Sequence, residues 1–214
     1  MKSTTSDGDL SAAELEELLK DPRATAEYRI VRATRRLLVT KGLEVSMDDI
    51  AAEAELGRRT VFRYFSSRDE LLARAMNESL DHFNNQVNSS MNAEADVETW
   101  LFSVVQSLHQ TQLRAGRGLW QLAATDDDDL PTPLAKVNKK RRDSRQVLTQ
   151  TIANEAWKRC GHRGQVPRDI ELAFALAISS FAVHSLHIDY SAQQGETVNA
   201  VSSMLHAFLM RGAA

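Results

Sequence analysis

The chain has 214 residues, 43% of them hydrophobic and 26% charged, with a net charge of −3 at neutral pH. That is the composition of an ordinary soluble globular protein, long enough for one large domain or two small ones, and no apolar run reaches the roughly 18 residues that span a bilayer. The single cysteine, Cys160, excludes an internal disulfide and any Cys/His zinc spacing, so a reducing cytoplasm is the expected compartment.

The N-terminus, "MKSTTSDGDLSAAELEELLKD", is acidic and lacks an apolar centre, so it reads as neither a signal nor a transit peptide. Residues 1–10 read as disordered, and Ser11 with Glu14 forms a capping-box pattern ahead of a short helix over 12–20. A longer helix is expected from about Arg23 to Thr40, with Ile30, Ala33, Leu37 and Leu38 as its buried stripe and Gly42 just beyond its end. Ser46 and Asp49 cap a short helix, "MDDIAAEA". The stretch "AEAELGRRTVFRYF" then supplies a tight turn and another short helix, after which Ser67 caps a helix expected to reach about Ser90. Further helices are expected at about 94–113, 117–124, 133–159, 167–190 and 195–211, with Gly116 and Gly118 breaking the first pair. No run of alternating β-branched residues marks a strand, so the fold class is all-α.

Charge is unevenly spread. Residues 21–76 carry ten Arg and one Lys against nine acids, whereas residues 1–20 carry two Lys against five acids. A mildly basic module thus sits in an acidic protein, and screening over roughly 10 Å lets it act locally. Two short helices joined by a tight turn form a helix-turn-helix, whose second helix enters the major groove of DNA. On that second helix Val61, Phe62 and Phe65 are expected to anchor in the core. Arg59 and Arg63 are four apart, as are Thr60 and Tyr64, on adjacent outer strips. Arginine can fork two hydrogen bonds to guanine or phosphate, and the threonine and tyrosine hydroxyls can reach phosphates. Ser46 and Ser67 lie at helix N-termini, where anions bind, and Arg68 adds charge to one of them.

The segment "VSMDDIAAEAELGRRTVFRYFSSRDELLARAM" closely resembles the DNA-binding domain of TetR-family transcriptional regulators. The resemblance covers about residues 25–76, and its strongest matches are Asp49-Ile50-Ala51, Arg59 to Phe65 and Asp69-Glu70-Leu71-Leu72. It implies a homodimer with an N-terminal three-helix reading head and a variable ligand-binding and dimerisation domain. By position it places Arg58, Arg59, Thr60, Arg63 and Tyr64 on DNA, and Ser46 and Arg68 on backbone phosphates. The chain departs from the family at Glu55, where glycine is usual, at Gly57, where Ser or Thr is usual, and at Phe62, commonly tyrosine. The expected organisation is an N-terminal extension over 1–22, a helix-turn-helix domain over 23–70 and a helical ligand-binding and dimerisation domain over 71–214.

In the C-terminal half, "RDIELAFALAISSFAVHSLHIDY" is apolar nearly all round, and the helix after it carries Val198, Val201, Leu205 and Phe208 at helical spacing. These two helices are expected to form a dimer interface, the alternative being a monomeric core built from the same residues. Candidates for a ligand pocket are Phe83, Trp100, Phe102, His109, Trp120 and His184, although helical aromatics are more often ordinary core. His184 and His187 have H-x-x-H spacing without a third ligand, so no metal is expected. "KKRRDSR" at 139–145 reads as a solvated face, and so does "DDDD" at 126–129.

The sequence therefore points to a DNA-binding transcriptional regulator, a ligand-responsive repressor acting as a homodimer on a palindromic operator. No cofactor, catalytic residue or membrane contact is expected, and the small-molecule effector is not legible. An activator of the same family is the alternative. A helical enzyme and an interaction adaptor stay open as other classes, although no nucleophile motif, glycine-rich phosphate loop or complete metal set supports the enzyme.

Overall fold

The computed structural model describes residues 12–91 and 95–211, so the disorder expected over 1–10 and the Ser11 cap lie outside the described residues. The chain is all-α. Helix α1 spans Ala12–Leu19, α2 Pro22–Lys41, α3 Met47–Glu53, α4 Arg58–Tyr64 and α5 Arg68–Met91. Then follow α6 (Val97–Ala124), α7 (Thr132–Arg159), α8 (Arg168–Ala177), α9 (Ser180–Ile188) and α10 (Gln194–Arg211).

Local chemistry sets most boundaries. Asp21 accepts from the Arg23 amide and Pro22 opens α2, a position where its missing N–H is not needed. Ser46 and Asp49 form the full reciprocal capping box of α3. Ser67 accepts from the Glu70 amide at the start of α5, and Asp96 accepts from the Glu98 and Thr99 amides at the start of α6. The sequence reading expects one helix over 167–190; the structure has two. Ser179 is buried in an extended conformation and its hydroxyl accepts from the Ala182 amide, so it caps α9 and stops α8. Gln112 of α6 donates to the Ile178 carbonyl that this break releases.

Two apolar cores result. The first joins Ile30 and Ala33 of α2, Ile50 of α3, Val61 of α4 and Leu71 and Leu72 of α5. It continues into Leu122 of α6 and into Leu134 and Val137 of α7, so packing runs without interruption from the reading head into the helices behind it. The second lies among α5, α6, α7, α8 and α10, around Trp100, Leu108, Ile152, Phe174 and Leu205. Val198, Val201 and Leu205 are buried within this core, whereas Phe208 stays 38% exposed. The buried stripe of α10 serves the protomer's own core, and Phe208 lies on its outer face.

The joint between the cores is a close backbone crossing of α2 and α6. Gly116 lies inside α6 at φ 64°, where the helix kinks. A Cβ there would come within 2.7 Å of the Val39 backbone, and one at Gly118 within 3.0 Å of the Leu38 carbonyl oxygen. The Leu43 amide donates to Gln121 Oε1 at 2.7 Å and ties the end of α2 to the same stretch. Gly116→Ala combines a left-handed backbone with a backbone clash. We expect it to cost about 2 kcal/mol or more, measured by chemical denaturation of the full-length protein.

Candidate nucleic-acid interface

Helix α3, the turn after it and α4 form the helix-turn-helix. Val61 of α4 is fully buried, and Tyr64 and Phe65 pack half-buried against the first core. Phe62 does not anchor as the sequence reading expects. It is 42% exposed, because four residues separate it from Arg58 and both fall on the outer strip. The Arg58 guanidinium lies 5.4 Å from the Phe62 ring centre, a cation–π arrangement that the helical spacing imposes.

The outer face of α4 is cationic. Arg59 is exposed and has no ion-pair or hydrogen-bond partner among the described residues. Arg58 is paired with Asp48 at 2.9 Å, an exposed pair that a phosphate could displace. Arg63 sits 5.0 Å from the Tyr64 ring centre and donates to its phenol oxygen at 3.3 Å. Thr60 is half-buried near the start of the helix.

Two of the residues expected on phosphates have internal work. Ser46 is exposed, but its hydroxyl and amide both bond to Asp49. Hydrogen bonds from Lys41 and then from Ser46 hold the Asp49 carboxyl down to about 2, so this cap stays charged. Arg68 differs more. Its Nε donates to the Val45 carbonyl at 2.6 Å, its guanidinium also reaches the Leu43 carbonyl, and it pairs with Asp69 at 3.1 Å. Arg68 therefore clamps the segment leading into α3.

The turn accommodates Glu55 by a helix C-cap. The Leu56 amide donates to the Ala51 carbonyl at 2.9 Å and the Glu55 amide to the Ala52 carbonyl at 3.1 Å, which is the Schellman pattern. That pattern needs a left-handed residue, and Glu55 has φ 54°. Arg29 of α2 braces the turn, donating to the Ala54 carbonyl at 2.7 Å and approaching the Glu55 carboxylate at 3.4 Å. Gly57 is the N-cap of α4 and offers no side-chain acceptor. Because Glu55 and Arg29 are both largely exposed, their attraction offsets little of the backbone cost. Glu55→Gly is expected to stabilise by about 1 kcal/mol, raising Tm by roughly 2–4 °C in a thermal melt.

The ligand candidates separate. Phe83 of α5 lines two adjoining cavities, one of about 240 Å³ among α2, α5 and α6 and one of about 50 Å³ among α5, α6, α7 and the α8–α9 break. Trp100 is core, its indole donating to the Met91 carbonyl at 3.1 Å, and Phe102 packs half-buried against the same core. His184 stacks on Trp120 with ring centres 4.6 Å apart. His187 instead faces the Ala192 carbonyl, so the H-x-x-H pair does not converge on one site.

His109 is 1% exposed, and neither ring nitrogen has a hydrogen-bond partner of good geometry. Burial pushes its pKa down to about 4, with the nearby Ala177 backbone opposing only in part. Its neutral form is therefore favoured in the folded state. The stability this confers is full above the ordinary histidine pKa of about 6.5 and falls as pH drops toward 4. The loss should approach about 3 kcal/mol, read by denaturant titrations across that range, and His109→Phe should remove that part of the slope.

A basic second helix held on a capped turn has the geometry of a helix-turn-helix DNA-binding domain. Residues 30–75 match the family described as bacterial regulatory proteins, tetR family. An uncharacterised HTH-type transcriptional regulator, YvaF, of Bacillus subtilis (strain 168) is 29% identical over 87 residues, 38% of this chain and 46% of that relative's length. The whole fold also matches solved structures. AibR, in complex with isovaleryl coenzyme A and operator DNA, has a TM-score of 0.63 at 17% identity, covering 85% of this chain and 98% of AibR. FadR of Bacillus subtilis, in complex with stearoyl-CoA, has a TM-score of 0.63 at 14% identity, covering 84% of this chain and 97% of FadR. Residues 30–75 thus carry the DNA-binding domain of that family, and the whole chain shares the fold of these solved regulators.

Proposed function

We propose that this chain is a ligand-responsive transcriptional regulator, a repressor that binds a palindromic operator as a homodimer. The observation that carries the reading is the exposed basic face of α4 on a braced helix-turn-helix, with Arg59 free of any partner among the described residues. Arg58, Arg59, Thr60, Arg63 and Tyr64 are its contact residues. Arg58 must exchange Asp48 for DNA, and Arg68 positions the head from inside. AibR has been solved with operator DNA and an acyl-CoA, and FadR with an acyl-CoA, which supports coupling of a small molecule to operator binding here.

Dimerisation is supported by large apolar side chains left exposed on the last three helices. Leu172 and Leu176 of α8, Phe181 and Ile188 of α9 and Phe208 of α10 are all exposed. No single described helix is long and apolar enough to cross a membrane, although α8 and α9, bent by 47°, pass together on length and composition. A second copy placing the same helices against this face would bury it, and two-fold symmetry explains why one patch suffices. The two reading heads then face successive half-sites, and an effector acts by favouring a dimer geometry that no longer fits them.

Selection from random duplex DNA with purified protein tests this reading. An inverted-repeat site should be enriched and its binding should weaken with salt. Arg59→Ala should lose roughly 1–3 kcal/mol of operator affinity while sedimenting as the same dimer. No enriched site at moderate salt, or full affinity in the variant, would count against it.

A further inference from the structure

The basic run at 139–145 is not uniformly solvated. Lys139 pairs with Asp143 at 2.7 Å, Lys140 with Asp81 at 2.8 Å, and Arg142 with Asp127. Arg141 and Arg145, four apart on α7, instead line the smaller cavity, and neither forms an ion pair among the described residues. Arg141 donates from Nε to Asn138 Oδ1 at 2.9 Å, and Arg145 donates to the Ala175 carbonyl. Burial first, then repulsion from Arg145 and Arg142, pushes Arg141 down to about 10, so it is still a full cation at neutral pH. Burial lowers Arg145 as well. Arg141 is half-buried and Arg145 exposed, and the Asp127 charge offsets only part of the cost of holding these two cations side by side, so an anion that joins them is favoured.

The space beside them suits the rest of such a molecule. The larger cavity shares Leu80, Phe83 and Leu119 with the smaller one and is walled further by Met76 and Leu122. Among the described residues no Asp or Glu lines either cavity, whereas Arg114 of α6 and Arg35 of α2 line the larger. At about 240 Å³ it lies just below the range of pockets that enclose drug-sized ligands, so it takes a medium-length chain or a small ring system.

We propose that the effector is an amphipathic organic anion, whose carboxylate or phosphate lies on Arg141 and Arg145 and whose apolar body passes Phe83 into the cavity among α2, α5 and α6. As an effector it rests on the regulator reading above. Its body would then lie against α2, behind the reading head and beside the α2–α6 crossing.

Calorimetry on the full-length protein tests this without DNA, so its outcome is independent of whether an operator is found. The probes are decanoate, decyl phosphate, 1-decanol and inorganic phosphate, each kept monomeric in solution. At least one of the two amphipathic anions should bind ten or more times tighter than decanol and than inorganic phosphate, and their ratio tells carboxylate from phosphate. The double variant R141M/R145M, with an unchanged thermal melt, should lose tenfold or more for that anion and nothing for decanol. Equal binding of decanol, binding of inorganic phosphate as tight as decyl phosphate, or no binding of either amphipathic anion would overturn the proposal on the native protein alone, even if the double variant fails to fold. Undiminished anion binding in a folded double variant would overturn it too.

Discussion

Where the last turn of α2 crosses α6, backbone meets backbone, and the rest of the structure is arranged around that contact. The α2 segment Leu38–Val39 lies where a Cβ on Gly116 or Gly118 would stand. Helices with ordinary side chains at their contact keep their axes about 8–10 Å apart; only glycine allows the closer approach. Because α2 is the first helix of the reading head and α6 packs on α2, α5, α9 and α10, this crossing joins the DNA-reading elements to the cavities and to the outer apolar face. A change in how α6 packs reaches α2 without a flexible linker between them.

The reading head itself is held by side chains pointing inward. Arg29 braces the turn carbonyl, Arg68 clamps the entry to α3, and the charged capping box of Ser46 and Asp49 starts that helix. Those two arginines are anchors, while the arginines of α4 look outward. The same residue type thus does opposite jobs within one small domain, and the difference lies in whether carbonyl oxygens are within reach. On α7 the division recurs in another form. Lys139, Lys140 and Arg142 find carboxylates, and Arg141 and Arg145 meet a cavity instead.

The positive φ at Glu55 shows how a departure from the family pattern is tolerated. Two backbone hydrogen bonds close the C-cap regardless of the side chain, and the cost is confined to one residue's backbone. The first core binds the turn's neighbours, Ala51, Ala54 and Val61, so the local strain does not spread.

Periodicity and caps determined much of this protein before any coordinates. The helical class, the starts of α2, α3 and α5, the break near Gly116 and the basic helix all follow from interactions between residues a few positions apart. The departure of Glu55 and Gly57 from the usual turn is legible only against the resemblance to the TetR family. Val61 is buried and Tyr64 and Phe65 half-buried, while the phase of 58 and 62 faces outward, so the hydrophobicity of Phe62 points to an anchor that its helical phase denies. The division of α8 from α9 was hidden, since Ser179 reads as one small residue among many until its hydroxyl is seen capping. Only the tertiary structure decided that Arg68 turns inward, that Arg141 and Arg145 lie by a cavity, and which face of α10 is left open. Each of those outcomes depends on groups distant in sequence, such as Leu43 against Arg68 or Ala175 against Arg145, and no local pattern encodes what packing brings within hydrogen-bond distance.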